Sequence, residues 1–227
     1  MPAALLQIRR SRPDGPTWRG WCTVVAVVAL GLVAWIDPAG AGEAGRTPVK
    51  SLIEIRHEKV VLQKWDLSCG AAALATVLTY QHNDPVPEKR IIERMLGKTD
   101  ADKVRAQFGF SLLDMKRYVE SRGYVATGYG EMTLDDLIDL GPAIVPVVIR
   151  GYSHFVIFRG AHGDRVLMAD PAYGNRVMTR AQFNAIWQGG LGFVVARNHG
   201  RKPPDQLAAR SRDFLVPRGS TLRAAVN

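Results

Sequence analysis

Gln63-Lys-Trp-Asp-Leu-Ser-Cys69-Gly-Ala-Ala-Ala-Leu-Ala-Thr76 is the stretch from which the rest of the chain can be read. Alanine and leucine are strong helix formers, so the run predicts a helix from about Cys69 to Tyr80. Its apolar positions, Ala72, Ala73, Ala75, Thr76 and Leu78, cover most faces, which predicts a helix buried at the centre of the fold. Cys69 stands at the start of that helix. A thiol there feels the positive end of the macrodipole and unpaired backbone N–H groups, and both favour the nucleophilic thiolate. Gln63, upstream, offers a side-chain N–H donor to a developing oxyanion.

Two residues further along complete a chemical set. Ser153-His154-Phe155-Val156 lies in an apolar, β-rich run, and Ala169-Asp170-Pro171 follows another. Gly160-Ala-His-Gly163-Asp164 between them reads as a hairpin turn centred near His162. Residues equidistant from an antiparallel turn face each other, whereas a one-residue slip puts them on opposite faces. His154 and Asp170 are equidistant from position 162. The symmetry predicts a base and its orienting carboxylate on one face, with His154 taking the thiol proton or pairing with the thiolate. Each residue also has a structural reading: His154 as a satisfied core histidine, Asp170 as a turn former before Pro171, and Gln63 as a polar residue without a role. The order Gln, Cys, His, Asp around one cysteine favours the chemical reading.

The rest of the chain divides by composition. The 227 residues suffice for one well-packed domain with tails. A basic segment from Arg9 to Arg19 precedes an apolar stretch from Cys22 to Ile36, and Ala39-Gly40-Ala41 then offers a small-x-small cleavage pattern. Residues 1–41 are therefore expected to be an export signal, placing the mature protein in the periplasm. The alternative is an uncleaved anchor in the inner membrane, facing the periplasm. The apolar stretch is 15 residues, short of the roughly 20 that span a bilayer. Removal of the signal also removes Cys22 and leaves Cys69 as the single thiol, so no intramolecular disulfide is expected. The net charge of +9 sits largely in the termini. Residues 198–227 are rich in Arg, Pro and Ser and are expected to form a basic, disordered tail. The remaining domain is only mildly basic and has no basic face interleaved with aromatics, which argues against nucleic-acid binding. His57, His82, His162 and His199 lack metal-ligand spacing.

Residues 42–54 read as a linker and 55–197 as the folded domain. Lys59–Gln63 reads as a short strand or extended lead-in. Helices are expected from Pro87 to Leu96, from Ser111 to a stop at Gly123, from Thr133 to Gly141-Pro142, and from Thr179 to Trp187. Strands are expected in Ala143–Ile149, His154–Phe158, Arg165–Met168 and Gly192–Val195, and Gly189-Gly190 reads as a loop. Helices first and an antiparallel sheet second make an α+β fold.

The Cys69 segment, with Gly109-Phe110-Ser111, Ser153-His154-Phe155-Val156 and Leu167-Met-Ala-Asp170-Pro171, resembles the C39 peptidases over about residues 55–196. Those are papain-like domains that cleave leader peptides after double glycine during bacteriocin export. The resemblance implies a papain-like fold and a cysteine peptidase without a cofactor. It assigns Cys69 as nucleophile, His154 as proton shuttle, Asp170 as orienter, and Gln63 with the Cys69 N–H as oxyanion donors. Export-linked members are usually fused to membrane-spanning and ATP-binding segments. This chain has neither, and is more similar to stand-alone, exported members, including those tied to functional-amyloid secretion. A peptide or unfolded protein is the implied substrate. A non-hydrolytic binding module for an export substrate, and a thiol-dependent acyl or peptidyl transferase, are the alternatives from other classes.

Overall fold

The computed structural model describes residues 50–106, 108–197 and 206–215. The expected signal segment lies outside them, as do residues 198–205 and 216–227 of the expected tail. In chain order the elements are α1 (Leu52–Arg56), α2 (Cys69–His82), α3 (Glu88–Leu96), α4 (Ala101–Ala106), α5 (Leu112–Glu120), β1 (Tyr124–Tyr129), α6 (Leu134–Leu140), β2 (Ala143–Ile149), β3 (Tyr152–His162), β4 (Arg165–Asp170), β5 (Gly174–Thr179), α7 (Arg180–Ile186) and β6 (Gly192–Arg197). A 3₁₀ turn, Ser211–Leu215, follows. The strands form one antiparallel sheet in the order β1-β6-β2-β3-β4-β5. This is the α+β arrangement expected from the sequence.

Both faces of the sheet are covered, which is why β2 reads as an unbroken apolar run rather than an alternating one. Ile144, Ile157, Ala169, Phe193 and Val195 pack with α2, α3 and α5. Ala143, Val145, Val147, Val156, Phe158, Val166 and Met168 face the other way, toward Leu137 of α6 and Phe183 of α7. The rings of Phe158 and Phe183 lie 5.6 Å apart on that second face. Helix α2 is buried on nearly every side, and its alanines are small enough to let sheet and helices close around it.

Sequence signals for helix starts translate directly. Ser51/Glu54, Ser111/Asp114, Thr133/Asp136 and Thr179/Gln182 form capping boxes at α1, α5, α6 and α7. Helix α2 is different. Its N-cap, Ser68, makes no side-chain cap bond; its hydroxyl instead lies 2.6 Å from both Trp65 O and the buried Glu88 carboxylate, which share its one proton. The first-turn N–H groups around Cys69 are thus free of side-chain caps.

Four differences from the sequence reading are physical. Lys59–Gln63 is extended but unpaired with any strand; Val61 N–H donates instead to Thr76 Oγ1 of α2. Helix α1 begins inside the stretch expected as linker, because Ile55 seals a small apolar cluster with Val177 and Leu167. Strands β1 and β5 were not foreseen: Gly174-Asn-Arg-Val-Met-Thr179 lacks a clean apolar alternation and is held by its ladder to β4. Finally, residues 206–215, within the stretch expected to be disordered, are packed on the domain. Leu207 and Phe214 are buried. Arg159, itself buried, donates to Leu207 O at 2.9 Å and pairs with Asp213 at 3.2 Å. A polar composition hid two apolar anchors.

Gly174 opens β5 at φ +89°, and a Cβ there would sit 2.5 Å from Arg56 O. Gly174→Ala should therefore lower stability by about 2–3 kcal/mol, combining left-handed strain with a backbone clash. A urea midpoint unchanged in this variant would contradict the close approach of α1 to β5.

Candidate active site

Cys69 begins α2 and is nearly buried, while residues of four other segments enclose it. Gly70 explains how the helix start comes so close: a Cβ there would lie 3.1 Å from Met115 Sδ and 3.6 Å from the Phe155 ring. The Cys-Gly pair thus seats the thiol between α5 and β3. A cleft of about 180 Å³ opens beside it, lined by Cys69, Phe108–Ser111, Pro146, Ser153–Phe155 and Gln188.

His154 enters this cleft from the start of β3. Its Nε2 lies 2.8 Å from Asp170 Oδ1, so Nε2 carries the proton and Nδ1 is left on the cysteine side. Asp170 has no solvent exposure. Three further contacts hold it: Ala172 N–H donates to Oδ1 at 2.9 Å, Arg176 donates to Oδ2 at 3.3 Å, and the strand end fixes its backbone.

The electrostatics follow from this packing. Burial works to lower the His154 pKa, but the hydrogen bond to Asp170, the neighbouring Cys69 sulfur and the Asp170 charge outweigh it, and the value is pushed up to about 9. Burial works to raise Asp170, but His154, the Ala172 N–H and Arg176 hold it below the usual carboxylate range. The sign for stability is then fixed on both sides. The raised histidine contributes fully below its usual 6.5, and that contribution is lost as pH rises through about 9. The depressed carboxylate contributes above its usual 3.8, and is lost as pH falls through its lower folded value.

The hairpin joining the pair differs in detail from the symmetric one expected. His162 pairs with Arg165, so the turn is Gly163-Asp164 and not centred on His162. Carried unchanged along the ladder, that register would set Asp170 opposite Ile157 and place it on the face away from His154. A β-bulge between Phe158 and Gly160 intervenes, after which Ile157 pairs with Ala169. Asp170 then stands level with Val156, a diagonal neighbour of His154 on the same face. The bulge restores the parity that the turn alone would lose. Arg159, the extra residue, is anchored by Asn175 Oδ1 at 2.8 Å as well as by Leu207 O. Sequence reasoning reached the right pair through a turn centre displaced from the real one.

Gln63 is placed less directly. It does not line the cleft. Its backbone N–H donates to Pro171 O at 2.8 Å, tying it to the residue after Asp170. Its Nε2 donates to Trp65 O at 3.3 Å, and its Oε1 is buried without a hydrogen-bond partner. The structure thus joins Cys69, His154 and Asp170 in one site and sets Gln63 beside it. Phe108, Gln188 and Arg176 were not singled out from sequence. Gln188 reaches the cleft because its N–H bonds Pro146 O, a contact between distant segments with no local signature. Among the described residues no cluster of His, Cys, Asp and Glu could hold a metal ion.

Comparison with known proteins agrees with this geometry. The family model described as the Peptidase C39 family matches residues 57–199. A probable functional amyloid protease, FapD, of Pseudomonas aeruginosa is 43% identical over 170 residues, covering 72% of this chain and 74% of that protein. The protein of the same description from Pseudomonas fluorescens is 39% identical over 204 residues, covering 87% of this chain and 84% of its own length. Among solved structures, the peptidase domain of Streptococcus ComA, a bifunctional ABC transporter in a quorum-sensing pathway, superposes with a TM-score of 0.52 at 26% identity, covering 63% of this chain and 100% of that one. A double glycine motif protease from an AMS/PCAT transporter, solved with its leader peptide, gives 0.50 at 25% identity, covering 61% and 91%. With the family model matching most of the chain and relatives described as proteases at 43% and 39% identity, this chain is a cysteine peptidase and belongs to the peptidase C39 family.

Proposed function

We propose that this peptidase works in the cell envelope, by a Cys-His-Asp mechanism, on a polypeptide that is secreted or bound up with export. The observation that supports the mechanism best is the 2.8 Å contact between His154 Nε2 and buried Asp170 Oδ1, beside a cysteine at an uncapped helix start. The Cys69 sulfur adds to the scissile carbonyl and a C–S bond forms. The His154 imidazolium, favoured at neutral pH by its raised pKa, gives its proton to the amine as the C–N bond breaks. Water then attacks the thioester, His154 takes a proton from it, and the thiol is released with the acid product. The Cys69 N–H and neighbouring first-turn groups, free of side-chain caps, would receive the oxyanion. The second donor is assigned to Gln63, whose Nε2 would have to leave Trp65 O to reach the oxyanion.

Export is supported by the basic segment, apolar stretch and small-x-small motif of residues 1–41. A polypeptide substrate is supported by the relatives: one class is described as probable functional amyloid proteases, and one related protease was solved with a leader peptide. The test uses the protein recovered from its envelope fraction. N-terminal sequencing is expected to begin near residue 42. Incubation with secreted polypeptides and with a Gly-Gly leader-type peptide, mapped by mass spectrometry, should give new N-termini that are absent with Cys69→Ala. Cleavage persisting in that variant would remove Cys69 from the chemistry, and a chain still starting at Met1 in the cytosolic fraction would remove the export reading.

A further inference from the structure

Away from the active cleft, a second and larger cleft of about 410 Å³ lies between α3 and α5. Its lining is strongly basic. Arg90 and Arg94 lie on α3, Lys98 just past its end, Arg117 on α5 and Arg122 after it. Arg90, Arg94 and Lys98 are spaced four residues apart, which stacks like charges along one side, an arrangement that is unfavourable without a counter-charge. Arg122 is paired with Asp84 at 2.7 Å. Among the described residues the other four form no ion pair, in contrast to neighbouring Lys89, which pairs with Glu93.

The one carboxylate in the lining offsets at most Arg117, whose charge it feels. Asp114 is spent on Thr99 Oγ1 at 2.6 Å and on the N–H and Oγ of Ser111 at 2.9 and 2.7 Å. The floor carries a further donor. Tyr118 is 5% exposed, and its hydroxyl lies beside the Arg122 guanidinium without a well-formed hydrogen bond among the described residues. Burial pushes its pKa up, so it keeps its proton at neutral pH. Unpaired guanidinium groups and a buried hydroxyl donor are the chemistry that receives a carboxylate.

The cleft is also connected to the chemistry. Ser111, the N-cap of α5, lines the active cleft, whereas Asp114, Arg117, Tyr118 and Ser121 on the next turns line the basic one. At about 1.5 Å rise per residue, Ser111 to Arg117 is roughly 9 Å, and Ser111 to Ser121 roughly 15 Å. An extended chain covers about 3.3 Å per residue, so roughly three to five residues bridge the two clefts.

We infer that the basic cleft is an exosite that holds an acidic segment of the polypeptide being cut, roughly three to five residues from the residue seated against Ser111. This rests on the peptide-substrate reading above and adds a charge requirement to it. A cleft lined by one sign of charge concentrates such a segment and supplies affinity remote from the scissile bond.

The test uses the full chain and fluorescein-labelled hexaglutamate, followed by anisotropy. Binding is expected to weaken with salt, and to fall about tenfold or more in Arg90→Gln/Arg94→Gln. It should change little in Lys103→Gln/Arg105→Gln, which removes equal charge from α4. Equal loss in both variants, or none in the first, would overturn the exosite. Turnover separates this from the parent reading. For any peptide the wild type cuts, adding Glu residues should lower KM in the wild type but not in Arg90→Gln/Arg94→Gln, with kcat the same. A KM gain retained in that variant would also overturn the exosite. If no peptide is cut while hexaglutamate binding behaves as expected, the peptide-substrate reading fails and the anion site stands.

Discussion

His154→Ala should lower kcat by about 10⁴ or more while the protein remains folded. The magnitude is that of losing one member of a nucleophile–base unit, after which binding and oxyanion contacts supply what activity is left. Two proposed roles disappear together: the partner of the Cys69 sulfur, and the acid that protonates the leaving amine. The fold should survive, because Asp170 keeps the Ala172 N–H and Arg176 as partners. The expected loss of stability is about 1–3 kcal/mol, the cost of one charge-assisted hydrogen bond in a partly buried site. Steady-state kinetics and a urea melt of the same preparation check both halves. A variant that is fully folded and retains a tenth of its turnover would place the base elsewhere.

The second large effect concerns Asp170, where a conservative and a drastic change should part company. Asp170→Asn keeps the shape and the Ala172 contact but loses the charge that holds His154 up at about 9. Turnover should fall by about 10²–10⁴, since the amide permits the wrong imidazole tautomer. The basic limb of the pH–rate profile should move down from near pH 9, because the raised value depends on the carboxylate. Asp170→Ala goes further. It leaves the Ala172 N–H, Arg176 and the partly buried His154 imidazolium without their buried partner, and should cost about 3 kcal/mol of stability, the low end for breaking a buried pair on one side. If Asp170→Asn kept both its turnover and its basic limb, Asp170 would be a turn residue only.

Much of this site was legible because its parts carry local signals. An Ala-rich run after Cys-Gly can only be a tightly packed helix start, and Gly70 is needed there because Met115 and Phe155 close on it. Capping boxes marked the starts of α5, α6 and α7 without any tertiary information. What stayed hidden was set by contacts between distant segments. The bulge at Arg159 has no signature in the sequence of β3; it exists because Leu207, Asn175 and Asp213 receive the guanidinium there. The symmetric hairpin expected from sequence named the right partners because its error was an even number of residues, which preserves the face. Strand β5 was missed for the same kind of reason, since Gly174-Asn-Arg176 is made a strand by pairing with β4 and not by its own preference. Gln63 shows the limit on the site itself: its position upstream of Cys69 was plain, but the orientation of its amide depends on Trp65 and Pro171, and no spacing rule supplies that.

The central claim is that Cys69 and His154 act as a pair, and alkylation of Cys69 tests it without needing a substrate. Iodoacetamide reacts with the thiolate, so the rate reports how much of that form is present. The measurement is made in a Cys22→Ser background, leaving one thiol, across pH 5–10, with and without His154→Ala. The pairing predicts that the histidine-containing protein reacts at least about tenfold faster near pH 6–7, the gap closing as pH rises through about 9 where His154 loses its proton. Rate profiles that superimpose over the whole range would contradict it.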